Sequence, residues 1–217
     1  MDLYSFFNSS TSYRVRIALA LKGVDTEYHG VNIRTGEHCV PEYVAETNPS
    51  ACVPAIVEKG FSLGQSLAII DWLDSAYPEP RLIPMDPVRR ARVLEFSQVI
   101  ASDIHPVNNL RVLKYLQDAL KVTPEQKQAW YQHWVDEGMN SVERLLLRSA
   151  KEYAGPWTFG DSPSLADCCL IPQIANALRM NCNLSKYPEA MRVYEHATSH
   201  PAFVKAEPSN QPDYISP

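Results

Sequence analysis

Residues 8–11 (Asn8, Ser9, Ser10, Thr11) crowd one amide and three hydroxyls directly after the apolar run DLYSFF, and YRVR then places Arg14 and Arg16 one turn further on. A strand that ends near Phe7 and feeds a helix from about Ser12 leaves unpaired backbone N–H groups and a partial positive charge at residues 9–13. Such an end favours an anion. A hydroxyl placed there can donate to a thiolate or carboxylate and lower its pKa. The same residue types also cap helices, so this stretch alone leaves capping and anion binding as alternatives. Arg14 and Arg16 read as partners in structural ion pairs, and Arg14 is also close enough to the helix start to add positive potential there.

Two further segments bear on the choice. NPSACVPAI (48–56) brings an Xaa-Pro step, Val53-Pro54, to the entry of a strand. Proline there donates no ladder hydrogen bond and is compatible with a cis bond, turning the Val53 backbone outward, where a peptide-like ligand could pair as an extra strand. GQSLAII (64–70) sets Gln65 and Ser66 at another helix start, suited to a carboxylate.

The elements that must position these groups alternate. Strand-like runs at 2–7, 27–33, 53–58 and 61–64 are interleaved with helical patterns at 13–23 and 66–77 and a weakly helical stretch at 36–46. Gly23 is a C-cap, Lys59-Gly60 a hairpin turn and Ser66 an N-cap, with Leu67, Ile70, Leu73 and Tyr77 facing inward. The order β-α-β-α-β-β-α predicts a mixed four-stranded sheet with helices packed on it. YPEPRLIPMDP (77–87) holds four prolines and reads as a linker. Helical periodicity dominates beyond it, over 88–120, 124–150, 164–181 and 188–199. SLAD (164–167) has the form of a capping box, Pro172 predicts a kink rather than a helix end, Trp72 and Trp134 read as core, and the tail 208–217 reads as loose. The division expected is residues 1–82 as an α/β domain and 87–217 as an all-helical one.

Composition narrows the partners. A net charge of −5 and a pI near 5.7 argue against nucleic acid. Five cysteines without metal spacing read as reduced thiols in a cytoplasmic protein. No apolar run reaches the ~20 residues of a membrane span, and no metal site is expected.

Taken in order, the strand–SS–helix, VP–strand and QS–helix segments resemble the glutathione transferase family. The likeness runs over essentially the whole chain and is greatest to the zeta class, whose hallmark SSCxWRVRIALxLKG is similar to SSTSYRVRIALALKG (9–23). DIHPVNNLRVL (103–113), FGDSPSLADCCLIPQIANALR (159–179) and YPEAM (187–191) extend the likeness into the helical half. The resemblance implies a thioredoxin-like N-terminal domain, an all-helical C-terminal domain, a homodimer and glutathione as cofactor. Ser9 would hydrogen-bond the glutathione sulfur, aided by Ser10, Thr11 and Arg14. Val53 beside Pro54 would pair with the cysteinyl unit, Gln65 and Ser66 would hold the γ-glutamyl end, and His38 would lie near the glycyl end. His105, Asn109 and Arg111 would line the site, while Asn8, Arg111 and Arg179 would face a small dicarboxylate substrate.

The implied activity is cis–trans isomerisation of maleylacetoacetate to fumarylacetoacetate in aromatic amino-acid catabolism. Its alternatives are isomerisation of maleylpyruvate and transferase action on small α-halo acids. A non-catalytic binding module is the rival from another class. Glutaredoxin-type redox chemistry is disfavoured, because residues 9–11 contain no cysteine to form a mixed disulfide. Thr11 stands where the hallmark has Cys, and Asn8 where it often has Arg.

Overall fold

A computed structural model describes residues 1–216. The chain forms two compact units, one of residues 1–83 together with 197–217 and the other of residues 84–196. Residues 197–216, expected with the helical half, pack with the first unit.

The first unit is built on β1 (Asp2–Ser5), α1 (Ser10–Lys22), β2 (Glu27–Gly30), α2 (Pro41–Glu46), β3 (Ala55–Glu58), β4 (Phe61–Gly64) and α3 (Ser66–Ala76). The sheet order is β2-β1-β3-β4, with β1 parallel to β2 and antiparallel to β3. This is the expected mixed sheet. The strands are shorter than the apolar runs suggested, since β1 stops at Ser5 and β3 starts at Ala55. Val15, Ala18 and Leu19 of α1 are buried, and Gly23 closes the helix in the left-handed region at φ 63°.

Two details depart from expectation. Ser66 is the first residue of α3 rather than its cap, which is Gln65, and the helix buries Ile69, Ile70 and Leu73 while Leu67 and Tyr77 are half-exposed. Trp72 and Trp134 are likewise only half-buried, so neither is a core residue. The proline-rich 77–87 segment is not slack either. The buried Asp74 carboxylate accepts the Leu82 and Ile83 N–H groups, and Lys22 Nζ pairs with Asp74 at 2.7 Å and donates to the Tyr77 and Pro80 carbonyls.

Segment 197–216 carries α9 (Pro201–Ala206) and a 3-10 turn at Pro208–Asn210. The tail expected to be loose is tied down. Asn210 and Gln211 side chains donate to the Val204, Lys205 and Glu207 carbonyls, and the Tyr214 ring meets Phe7 edge-on at 5.4 Å. No simple periodicity announces such an irregular segment, because its bonds are made by side chains to backbone carbonyls four to six residues earlier.

The second unit is helical: α4 (Pro87–Gln98), α5 (Leu110–Asp118), α6 (Pro124–Glu152), α7 (Leu165–Arg179) and α8 (Pro188–Thr198). The single helical pattern expected over 88–120 breaks into α4, a π-helical turn at Val99–Ile104, a 3-10 turn at Pro106–Asn108 and α5. At the π turn, Gly138 of α6 lies so close that an added Cβ would stand 2.0 Å from Ile104 Cγ1. The capping box at Ser164 forms, and α7 runs through Pro172 without ending there. Asp167 is fully buried and accepts four hydrogen bonds, from the N–H and O–H of both Thr158 and Ser164. No helix among the described residues is long and apolar enough to cross a membrane.

Candidate functional site

The chemistry of the first unit starts in the turn between β1 and α1. Ser9 N–H donates to the Phe6 carbonyl at 3.0 Å, which makes Phe7 and Asn8 the two central residues of a tight turn. Ser9 then caps α1 in extended conformation, its Oγ accepting the Ser12 N–H at 3.2 Å. The cap was legible from residue types.

The hydroxyl network around it was not. Thr11 Oγ1 donates to the Val53 carbonyl at 3.0 Å and lies 2.9 Å from Ser9 Oγ. Because Thr11 has a single hydroxyl proton, already given to Val53, Ser9 is the donor of the pair. A chain Ser9→Thr11→Val53 thus joins the helix start to the strand entry. An anion at the helix start competes with Thr11 for the Ser9 proton, and only an O–H rotation separates the two arrangements.

Val53 and Pro54 are buried and joined by a cis peptide bond. Their loop is held by Asn48, which donates from Nδ2 to the Cys52 carbonyl at 2.8 Å and accepts the Ser50 N–H at 3.0 Å. Tyr43 O–H reaches the same carbonyl, and burial raises its pKa above the usual phenol value. Asn48 is a supporting position that sequence reasoning missed, although an Asn four residues before Cys52 in a loop before a strand is a fair signal of a side chain bonding its own backbone.

Gln65 precedes α3 with φ 65° and ψ 113°, a region L residues rarely occupy, and its side chain makes no cap. Strain of this kind costs about 1–3 kcal/mol and gathers at binding sites. The first N–H groups of α3 are consequently left for another acceptor, which suits a ligand carboxylate. Ser66 Oγ accepts from Arg14 Nη1 at 3.3 Å, so Arg14 is buried beneath the start of α3 and acts on that end through Ser66. His38 sits half-buried on a 3-10 turn at Glu37–Cys39.

Arg16 has the structural role expected, but with carbonyls and a hydroxyl in place of an ion pair. It donates to Ser5 Oγ and to the Phe6, Phe7 and Ala206 carbonyls. Burial lowers its pKa to about 10. Asp2, Glu27 and His29 bring one ligand atom each within 4.8 Å of one another at the opposite end of β1 from Ser9. This juxtaposition comes from the β1–β2 register and is invisible in linear spacing.

In the helical unit, His105 follows the π turn, and its Nε2 lies 3.2 Å from Asn109 Nδ2. Asn109 caps α5 by accepting the Arg111 N–H at 3.1 Å. The intervening backbone is fixed by Trp130 Nε1 donating to the Val107 carbonyl and Asn108 Nδ2 to the Tyr131 carbonyl. Arg111 is exposed on α5. Arg179 ends α7, exposed, and donates to Asn176 Oδ1. The first unit thus gathers Asn8 through Arg14, Val53, Pro54, Gln65 and Ser66 around two helix starts, and the second gathers His105, Asn109 and Arg111 on one turn.

Comparison with known proteins gives a consistent result. Residues 3–81 match the model for the glutathione S-transferase N-terminal domain. A maleylacetoacetate isomerase of Pseudomonas aeruginosa is 44% identical over 98% of both chains. A maleylpyruvate isomerase described as a bacterial zeta-class glutathione S-transferase superposes with a TM-score of 0.95 at 40% identity, covering 99% of this chain and 100% of its own. A maleylacetoacetate isomerase of Anaeromyxobacter dehalogenans, solved with dicarboxyethyl glutathione and citrate in its active site, superposes at 0.86 with 36% identity, covering 100% of this chain and 94% of its own. Sheet topology, helix-start geometry and similarity along the whole chain agree, and the chain belongs to the glutathione S-transferase family, in its zeta class.

Proposed function

We propose that the protein is a glutathione-dependent cis–trans isomerase converting maleylacetoacetate to fumarylacetoacetate. The observation that carries this reading is the Ser9 hydroxyl at the start of α1, joined through Thr11 to the cis Val53-Pro54 step, in a chain 44% identical to a maleylacetoacetate isomerase. The donor set fits glutathione. A helix start with a hydroxyl suits an anionic sulfur, the uncapped start of α3 suits a carboxylate, and the Val53 backbone suits a peptide strand. Residues 1–82 form its binding domain in this reading, and the helical residues from 87 supply the substrate contacts.

When bound, glutathione supplies a thiol that adds to the cis double bond and leaves once the resulting single bond has turned. The protein must keep that thiol ionised near neutral pH. A fall of roughly two units from the ordinary thiol value, about 2.7 kcal/mol, is required. The Ser9 O–H donates a hydrogen bond to the ionised sulfur, the α1 dipole adds about 0.3–1 kcal/mol, Ser10 lies at the same helix end, and Arg14 adds positive potential. Thr11 holds Val53 in place and accepts the Ser9 hydrogen bond when the sulfur is absent. His38, Gln65 and Ser66 hold the ends of the tripeptide. In the helical unit His105, Asn109, Arg111 and Arg179 are the candidates for substrate contacts, and in the first unit Asn8 is. Charge developing on the substrate carbonyl is met by these fixed donors.

Incubation with maleylacetoacetate should show loss of the cis substrate only when glutathione is present. Absence of turnover, or turnover without glutathione, would refute the reading. A second reading, isomerisation of maleylpyruvate, is favoured by the TM-score of 0.95 to a maleylpyruvate isomerase. Asn8 in place of the Arg frequent in the class also bears on carboxylate choice. Relative kcat/KM on the two acids separates them, with an α-halo acid as third substrate. A homodimer in the cytoplasm completes the proposal. Met85, just before α4, and Val88 in its first turn, 70% and 64% exposed, offer apolar surface a dimer would cover, and sedimentation tests it.

A further inference from the structure

The turn that delivers Ser9 is gripped from both sides at one residue, Phe7. Its peptide N–H, at the second position of the Phe6–Ser9 turn, has no acceptor within that turn. Asp213 Oδ2 accepts it at 3.0 Å. Its carbonyl accepts from Arg16 Nη2 at 3.0 Å. A carboxylate and a guanidinium from opposite ends of the sequence thus fix the two successive peptide units that flank Phe7, and charge-assisted bonds of this type are roughly twice as strong as neutral ones.

Asp213 is itself held. Its Oδ1 accepts the Tyr28 O–H at 2.6 Å, and a side chain on Gly30 would collide with it, since an added Cβ would stand 2.9 Å from Asp213 Cβ. Arg16 Nε is tied to the Ala206 carbonyl, at the end of α9 from which the 207–214 segment departs. Tyr214 covers the Phe7 ring. All these groups lie in one compact unit.

We propose that Asp213 is a positioning residue for Ser9, and that the 207–214 segment acts as a strap setting the geometry of the Phe7–Ser9 turn. Without the carboxylate, the Phe7 peptide rotates to find water, Asn8 moves with it, and the Ser9 hydroxyl loses its fixed direction. The chemical consequence rests on Ser9 acting as the sulfur's donor, as proposed above.

The test compares Asp213→Ala and Asp213→Asn with the parent protein. In Asp213→Asn the amide oxygen can still accept from Phe7. Amide hydrogen exchange at Phe7 and Ser9 is followed by NMR in the ligand-free protein, and the thiol pKa of bound glutathione by thiolate absorbance. Asp213→Ala should speed exchange at both amides about tenfold, raise the bound-thiol pKa by about one unit and lower kcat/KM at neutral pH about tenfold, with recovery at higher pH. Asp213→Asn should restore most of each effect. Far-UV circular dichroism and Tm report whether each variant is folded. Unchanged exchange at Phe7 in a folded Asp213→Ala variant, or faster exchange with an unshifted thiol pKa, would overturn the proposal. Should the parent bind no glutathione, the isomerase reading fails instead, and exchange at Phe7 and Ser9 alone decides for or against the strap.

Discussion

Replacing Ser9 with Ala removes one oxygen that does two things, and the structure separates their sizes. As a cap, Ser9 Oγ accepts the Ser12 N–H at 3.2 Å, and its loss costs about 1 kcal/mol. For a chain of 217 residues this lowers Tm by about 2–4 °C, too little to unfold a protein with the usual stability of about 5–15 kcal/mol. As a donor to a thiolate, Ser9 makes a charge-assisted bond contributing about 1.5–3 kcal/mol. Its loss should therefore lower kcat/KM at pH 7 by about 10- to 150-fold.

The direction with pH follows from the same bond. Removing a donor to the charged form raises the thiol pKa by about one to two units, so the variant's rate climbs with pH across the range where the parent is already flat. Thr11, 2.9 Å away, is the natural substitute, but its proton is held by Val53. Ser9→Ala/Thr11→Val should consequently fall little below Ser9→Ala, while Thr11→Val alone leaves Ser9 free to donate and changes kcat/KM by only a few fold. The assay is kcat/KM for maleylacetoacetate with glutathione between pH 6 and 9, alongside thermal unfolding. A Ser9→Ala rate within twofold of the parent, with an unshifted profile, would refute the assignment of Ser9 as thiolate partner.

Three other substitutions test how the site is supported. Gly138→Ala forces a methyl to within 2.0 Å of Ile104 Cγ1 at the π turn; it should cost about 1–3 kcal/mol by urea titration, and Ile104→Ala should restore much of the loss when combined with it. Asp167→Ala leaves four buried donors without an acceptor and should cost about 3–5 kcal/mol, read as a lower urea midpoint at unchanged slope. Gln65→Gly relieves the positive φ of 65°. Tm should hold steady or rise slightly while glutathione affinity measured by calorimetry falls, because Gln65 would no longer hold the γ-glutamyl end.

Much of the site was legible one segment at a time. Ser9 as a cap, Val53-Pro54 at a strand entry and Gln65-Ser66 at a helix start are local signals carried by residue type and spacing. Elsewhere local and tertiary preferences compete. The 88–120 stretch has helical periodicity throughout, yet Gly138 of α6 packs against Ile104 and the backbone widens there into a π turn. Trp72 and Trp134 carry the composition of a core but remain half-exposed. Ser66 has the chemistry of a cap, but Arg14 occupies its hydroxyl, and Gln65 takes the cap position in a strained conformation.

By itself the sequence determined the alternation of elements, the mixed sheet and the helix starts that can hold an anion. All of these follow from period and capping over a few residues. Tertiary structure decided which of three neighbouring hydroxyls holds its proton ready and what fixes the turn beneath it. Those answers lie in Thr11 meeting Val53, Arg14 meeting Ser66, and Asp213 meeting Phe7 across 206 positions. Hydrogen bonds over such separations leave no periodic trace. Each joins two groups whose local sequences are compatible with many partners, and only the packed chain brings one pair to 3 Å.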